Sequence, residues 1–194
     1  LNANNISLDV IDLKFQAELK WKLFRKLELS ALGALKYSAT SQEHKIRENS
    51  NQALAYRAMG DGTIINRNSW LYKDPDDPYA LPVSILPKGG FYNTAQYKML
   101  SYDFRAAASY NDVFNDTHIV NVYAGMESNA QNRTANSFDG WGMQYENGEI
   151  PFFDYLAFKK LREGNTNYYD LTNTKKRNVA FFGTATYSYK GRYI

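Results

Sequence analysis

The chain has 194 residues, with 23 Lys and Arg against 20 Asp and Glu, a net charge of +3 and no cysteine. Without cysteine, neither disulfides nor thiolate metal sites can hold the fold, and the scattered basic residues form no footprint of nucleic-acid binding. The chain contains no run of about 18 apolar residues, so no transmembrane helix is predicted. That absence does not exclude a membrane protein, because barrel strands hide half of their residues from lipid and look polar on average.

The clearest pattern lies in the first predicted strand, at about residues 9–23, where apolar and polar side chains alternate strictly. The apolar positions are Ile11, Leu13, Phe15, Ala17, Leu19, Trp21 and Leu23, and the polar positions are Asp12, Lys14, Gln16, Glu18, Lys20 and Lys22. Successive side chains of a strand point to opposite faces, so this period of two predicts one apolar and one charged face. The strand also exceeds the roughly 9–11 residues that cross a bilayer when tilted.

Four further strands are predicted, at about residues 27–39, 97–111, 117–127 and 178–190. Long loops are expected at about 40–96 and 128–177, while the other connections are short. The first loop has helical character at 51–59, before Gly60, and the second has a helix that starts near Pro151 and stops before Gly164. Short and long connections alternate, as they do between the periplasmic turns and outer loops of outer-membrane barrels.

Aromatic residues cluster beside the short connections, at Trp21, Phe24, Tyr110, Phe114, Tyr187 and Tyr189. In a barrel these side chains would form an aromatic girdle at one membrane interface. The alternative is a soluble antiparallel sandwich with the aromatics in its core, but sandwiches usually have shorter strands and more frequent turns. The pattern therefore favours an antiparallel transmembrane β-barrel segment of about five long strands.

Four stretches carry a family resemblance: DPDDPYALP at 74–82, KMLSYDFRAAASYNDVF at 98–114, SFDGWGMQYENGEIPFFDY at 137–155 and NVAFFGTATYSYKGRY at 178–193. They resemble SusC/RagA-type TonB-dependent outer-membrane transporters, and the likeness extends over essentially the whole chain. It implies a 22-stranded barrel in the bacterial outer membrane, with a plug that the polar face of the first strand would contact. The sequence contains no TonB box, plug or terminal strand, and both ends are expected to be cuts within a longer protein.

The resemblance also implies partners and a substrate class. A SusD-like surface lipoprotein would cap the transporter, the TonB complex would act through the missing N-terminal parts, and outer-membrane lipid would surround the barrel. The imported nutrient would be an oligosaccharide or, in some family members, a peptide. No nucleic-acid partner and no cofactor are expected, and the isolated segment is not expected to transport anything.

Aromatic side chains of the two long loops are the candidate ligand contacts: Trp70, Tyr72 and Tyr79 in the first loop, and Trp141, Tyr145, Phe152, Phe153 and Tyr155 in the second. Sugar C–H faces stack on aromatic rings while neighbouring amides and carboxylates bond hydroxyls, so such a mixture suits a glycan. The alternative is that these rings pack the loops together or contact the lipoprotein.

Acidic residues and histidines give weaker signals. Oxygen ligands for Ca²⁺ could come from Asp74, Asp76 and Asp77. The stretch lacks EF-hand spacing, however, and the pattern favours a solvated acidic turn. His44 and His118 are the only histidines and have no metal-protease spacing. We find no catalytic constellation and expect no enzyme.

Three functions remain on the sequence alone. The favoured one is a fragment of an outer-membrane importer. The second is a soluble all-β glycan-binding module whose loops carry the aromatic contacts. The third, a glycoside hydrolase on a β-scaffold, would need paired carboxylates, and Asp and Glu are plentiful enough to keep it open.

Overall fold

A computed structural model describes residues 3–193 of the chain. In chain order, its elements are β1 (Asn4–Phe24), β2 (Leu27–Ile46), α1 (Asn51–Arg57), α2 (Gly62–Arg67), β3 (Leu71–Tyr72), β4 (Val83–Ser84), β5 (Gly90–Phe114), β6 (His118–Gln144), β7 (Ile150–Pro151), α3 (Tyr155–Glu163), β8 (Tyr169–Tyr189) and β9 (Arg192–Tyr193). The fold is therefore all-β, as the sequence predicts, with three short helices where two were predicted. Across these residues no helix is both long and apolar enough to span a membrane.

Seven strands form one sheet in the order β1-β2-β5-β6-β8-β9, with β7 paired to β6, and β3 pairs with β4 separately. Two residues connect β1 to β2 and three connect β5 to β6, and connections this short join antiparallel neighbours. The β5–β6 turn has Asn115 and Asp116 at φ 50° and 52°, and the β8–β9 turn has Lys190 and Gly191 at φ 49° and 74°. Positive φ at both central residues gives the turn a twist that matches the strands it joins.

The strands extend beyond the predicted limits at their loop ends. β2 continues to Ile46 rather than 39, β5 begins at Gly90 rather than 97, β6 continues to Gln144 rather than 127, and β8 begins at Tyr169 rather than 178. The loops are shortened to match. Apolar side chains in these extensions, such as Ile46, Phe91 and Trp141, are scattered among polar ones without a period of two, so no hydrophobic alternation marks the extensions. Backbone hydrogen bonds pair strands without that pattern.

The helices depart from the prediction in their limits and number. The first predicted helix, at 51–59, ends at Arg57. The predicted start near Pro151 is displaced, because that residue lies in β7 and the Asp154 side chain caps the first turn of α3. The unpredicted α2 begins after Asp61, whose carboxylate accepts two backbone N–H groups of its first turn.

The chain divides into two units, which we call the loop unit and the strand unit. The loop unit comprises Leu1–Val10, Thr40–Tyr97 and Ala135–Thr172, and the strand unit comprises Ile11–Ala39, Lys98–Thr134 and Asn173–Ile194.

The strand unit has one face on which polar side chains pair across strands. Its pairs are Lys36–Asp12 (3.3 Å), Arg105–Glu127 (3.0 Å), Asn121–Thr186 (3.3 Å) and Asn129–Asp103. These residues occupy alternate positions, so they share a face. The charged face of the first strand is part of this paired polar surface.

The opposite face of the strand unit is apolar and has nothing packed on it. Leu19 is 68% exposed and Phe181 is 79% exposed, and Ala107 is the only buried hydrophobic side chain among the unit's described residues. A soluble sheet normally buries its apolar face, since contiguous exposed apolar surface is rare on soluble monomers. The strand unit therefore has two distinct faces and no hydrophobic core between them.

Candidate functional site

The loop unit has the hydrophobic core that the strand unit lacks. Its buried side chains come from the end of β2, from α1, β3 and α3, from the segment before β5 and from the start of β5: Ile46, Ala53, Tyr56, Tyr72, Ile85, Leu86, Phe91 and Ala157. Trp141 and Leu156 pack against them. The two long loops of the sequence prediction are therefore joined in one packed body, which we call the loop core.

Tyr56, Phe91 and Trp141 form the aromatic centre of the loop core, and the exposed ring of Trp70 packs against Tyr56. Tyr56 stacks on Trp70 with ring centroids 4.5 Å apart, and it meets Phe91 and Trp141 edge to face at 5.0 Å and 5.5 Å. Phe91 and Trp141 meet each other at 5.1 Å. Such pairs contribute about 0.5–1.5 kcal/mol each beyond their buried area, so the rings bind the loops to each other.

Arg57 organises the backbone around this core. Its guanidinium donates to the carbonyl oxygens of Leu86 (2.9 Å), Glu48 (2.8 Å) and Gly89. Burial lowers the pKa of the Arg57 side chain and the neighbouring Glu48 carboxylate opposes that effect. One side chain on the last turn of α1 thus fixes both ends of the segment that leads into β5.

Glu48 extends the network to the hairpin after β6. Its carboxylate accepts the backbone N–H groups of Tyr145 (3.3 Å) and Glu146 (3.0 Å). Burial raises the pKa of this carboxyl, but these N–H donors and Arg57 outweigh it, and the net pKa lies below the ordinary value. The Tyr145 hydroxyl donates to the Phe91 carbonyl oxygen at 2.6 Å, and burial raises its pKa to about 12.

The DPDDPYALP stretch forms a stiff loop anchored on α3. Asp74 pairs with Lys159 at 2.9 Å, and its other oxygen accepts the backbone N–H of Asp76, while Asp77 accepts that of Tyr79. The ammonium of Lys159 holds the pKa of Asp74 below its usual range. Within residues 3–193 no group of three or more His, Cys, Asp or Glu side chains is placed to hold a metal ion. The side chains of Asp74 and Asp77 fix turns, and Asp74 also forms the ion pair.

A second lysine of α3 anchors the same region. Lys160 donates to the carbonyl oxygens of Ser69 (3.1 Å), Trp70 (3.1 Å) and Leu71 (3.3 Å), and burial lowers its pKa. These carbonyls lie in the segment that runs from α2 into β3, so the ammonium ties α3 to that segment.

The eight candidate ligand contacts fall into two groups. Tyr72, Trp141 and Tyr145 are held by the loop core or its hydrogen bonds: Tyr72 is buried and its hydroxyl donates to Glu163 at 2.9 Å. The others keep exposed rings: Trp70, Tyr79, Phe152, Phe153 and Tyr155. Tyr79 is 92% exposed and Tyr155 is 74% exposed. The exposed group can meet a ligand or a partner without disturbing the core.

Sequence reasoning missed Arg57, Glu48 and the two lysines of α3, because their partners lie far away in the chain. It also missed a small aromatic cavity of about 40 Å³ beneath α3, lined in part by Phe138, Phe158 and Tyr168. Only the capping residues before the helices offered a local signal, such as Ser50, whose hydroxyl accepts the N–H of Ala53.

Comparison with known proteins gives a likeness of fold. No protein-family model matches the chain. No curated protein matches it either. Solved structures do match, among them the RagAB peptide transporter, the RagAB peptide importer in its open-open state, and the same importer in its closed-closed state. Each of these three matches has 11% identity and a TM-score of 0.64, and covers 97% of this chain.

The chain spans 17% of the length of each of these structures' chains. At this identity the likeness shows a shared fold, and it covers nearly all of the present chain. Fold and geometry define an antiparallel sheet segment whose apolar face is exposed, and its fold is similar to that of a part of a RagAB peptide transporter chain.

Proposed function

We propose that the chain is part of the barrel wall of a SusC/RagA-type outer-membrane importer, non-enzymatic and driven through the TonB complex. The observation that carries this proposal is the strand unit itself, which has an exposed apolar face, a paired polar face and no core between them. That arrangement suits a wall with lipid on one side and a polar lumen on the other. The fold shared with RagAB supports the same assignment.

The aromatic residues beside the short turns support a membrane interface. Trp21 and Phe24 have exposed rings, Lys26 lies over the Phe114 ring at 5.6 Å, and the His118 ring lies 5.0 Å from that of Tyr189. Amphipathic and aromatic side chains concentrate at the headgroup level, where one end is apolar and the other is wet.

The test is a charge placed on the apolar face of full-length protein. Leu13→Arg should weaken folding into lipid vesicles by about 2–4 kcal/mol if the residue lies near mid-membrane. Gln16→Arg, on the polar face of the same strand, is the matched control and should change folding little. Equal effects of the two variants, or a chain that stays folded and monomeric without detergent, would remove the membrane assignment.

For the substrate, we propose a nutrient that meets the exposed aromatics of the loop unit. A peptide is the first candidate, because the structures with the shared fold are peptide importers. An oligosaccharide is the second, since exposed rings such as Tyr155 and Phe153 suit sugar faces. Uptake of labelled peptides and of labelled glycans should be compared in wild type and Tyr155→Ala. Uptake of neither class by the wild type would contradict the importer.

For the partner, we propose a SusD-like surface lipoprotein that contacts the DPDDPYALP loop. Tyr79 is 92% exposed and Leu81 is 82% exposed, and the ion pair and turns at Asp74 hold their backbone. A rigid loop loses little entropy on binding, and tyrosine is enriched among residues that dominate interface energies. Tyr79→Ala with Leu81→Ala should weaken lipoprotein binding at least tenfold, whereas exposed Arg67→Ala should not. Unchanged binding by the double variant would exclude this contact.

A further inference from the structure

The loop unit has a polar pocket of about 300 Å³ that none of the proposed contacts uses. It is lined by Asn4, Asn5, Lys45, Arg47, Tyr145 and Glu149. Ile46 is fully buried in the loop core. Because neighbouring side chains of an extended strand alternate, Lys45 and Arg47 project from the opposite face. The pocket is therefore separate from the loop core, and it lies at the lower end of the size range of small-molecule sites, roughly 300–1,000 Å³.

The backbone holds the basic side chains in place. The Arg47 N–H donates to the Ala3 carbonyl oxygen at 2.8 Å, which ties the end of β2 to the start of β1. In the part of the chain that the structure describes, the Arg47 guanidinium has no hydrogen bond and no ion pair. Its planar donor fork is the group that best matches an oxyanion with two oxygens.

The other lining groups add donors and little competing charge. Asn4 Oδ1 lies 2.6 Å from His44 Nε2 and accepts the N–H of that ring nitrogen. The amide N–H₂ group of Asn4 is then free to donate to a ligand. Lys45 meets Glu149 at 3.4 Å, a loose pair between exposed side chains. Lys45 and Arg47 against Glu149 leave the lining with one excess positive charge.

Tyr145 contributes a neutral wall to the pocket. Its hydroxyl is engaged by the Phe91 carbonyl oxygen, and with a pKa of about 12 it stays protonated at physiological pH. The nearby Glu48 carboxylate already accepts the N–H groups of Tyr145 and Glu146. Tyr145 therefore brings no charge to the pocket, and the negative charge of Glu48, which does not line it, is partly offset by the neighbouring Arg57.

We propose that this pocket binds an oxyanion of the phosphate type. Arg47 donates two parallel hydrogen bonds, Lys45 donates one of its three N–H groups to the ligand while it stays paired with Glu149, and the Asn4 amide donates a further bond. The phosphate can come from a free solute or from a phosphorylated glycolipid headgroup, because both present the same oxygens. The proposal needs the loop unit to be folded and does not depend on import, TonB or any nutrient.

The experiment titrates inorganic phosphate into the full-length protein by calorimetry. Wild type should bind saturably, Arg47→Ala should bind at least tenfold more weakly, and Arg47→Lys should fall between them because it keeps charge but loses the fork. Arg67→Ala, an exposed arginine of the loop unit outside the pocket, is the matched control and should bind as wild type does. Amide exchange of the loop core shows that each variant is folded.

Absence of saturable phosphate binding, or equal binding by wild type and folded Arg47→Ala, overturns the proposal. Native mass spectrometry with lipopolysaccharide before and after phosphatase treatment identifies the source. Phosphate-dependent lipid binding that Arg47→Ala abolishes assigns the site to a headgroup, and binding of phosphate alone assigns it to a solute. If Leu13→Arg leaves vesicle folding unchanged while phosphate binding persists, the membrane assignment fails and the pocket stands.

Discussion

Arg57→Ala should open the loop unit, because one side chain holds three carbonyl groups. Its guanidinium donates to Leu86, Glu48 and Gly89, and Leu86 is only 1% exposed. Truncation leaves the acceptors at Leu86 and Gly89 without a donor, at residues that are both buried. An unsatisfied buried acceptor costs about 1–3 kcal/mol, and water can enter part of the space that arginine vacates. We therefore expect a loss of about 3 kcal/mol.

Hydrogen exchange measures this loss directly. Amides of α1 and the start of β5 should exchange roughly 100-fold faster in Arg57→Ala, since each 1.4 kcal/mol is a factor of ten. Arg57→Lys keeps one cation that can reach one carbonyl, so an increase of about tenfold is expected. Arg67→Ala, in the exposed last turn of α2, is the control and should stay within about twofold. Exchange in Arg57→Ala within about threefold of wild type would refute the reasoning.

Three further predictions concern the same unit. Gly90→Ala should destabilise the β2–β5 pairing by about 3 kcal/mol or more, because the added Cβ would overlap the Ile46 carbonyl oxygen. Gly62→Ala is the control, since no atom lies within 4 Å of its added Cβ, and equal thermal unfolding of the two variants would contradict the prediction. The lowered pKa of Glu48 means that its contribution is present above about pH 4.5 and is lost as pH falls through the folded-state pKa. At pH 7, Glu48→Gln should therefore speed exchange of the two backbone amides that donate to this side chain, and the difference should disappear as pH falls below the folded-state pKa of Glu48. A pH-independent difference would exclude the ionised carboxylate as the cause. Trp141→Ala should lower the stability of the loop unit by about 2 kcal/mol through lost packing, as measured by denaturant unfolding. If this variant is as stable as wild type but no longer binds ligand, Trp141 is a ligand contact instead.

Alternation predicted the strand unit well and the loop ends of the strands poorly, and the reason is physical. In residues 11–23 one face is apolar and the other charged, so the period of two is visible. Near the start of β1 the apolar positions shift phase, with Ile6, Leu8 and Val10 on the alternate set. The hydrophobic pattern of a strand indicates whether each of its faces meets an apolar or a polar environment. Strand pairing depends instead on backbone hydrogen bonds, which do not require that pattern. The extensions were therefore invisible to it.

The candidate site was harder to predict because its contacts are distant in the chain. Tyr72 bonds Glu163, and Glu48 accepts the amide of Tyr145 across almost a hundred positions. Residue type indicated correctly that the loops are aromatic-rich, but it could not separate rings buried in a core from rings left exposed. Tyr72 and Tyr79 are seven positions apart, and one is buried while the other is almost fully exposed. Burial, which the pattern does not encode, decides that difference.

The two units differ in how far they bury their apolar side chains. The loop core buries aromatic and aliphatic side chains and satisfies its polar groups internally, which is how a structure is stabilised in water. The strand unit leaves large side chains such as Leu19 and Phe181 exposed. In water, its apolar face therefore gains none of the free energy that comes from removing apolar surface from the solvent. Only an apolar surrounding removes that penalty, and a bilayer supplies one that needs no complementary protein surface. A packed core in the loop unit and none in the strand unit is therefore the pattern that the proposed barrel wall would require.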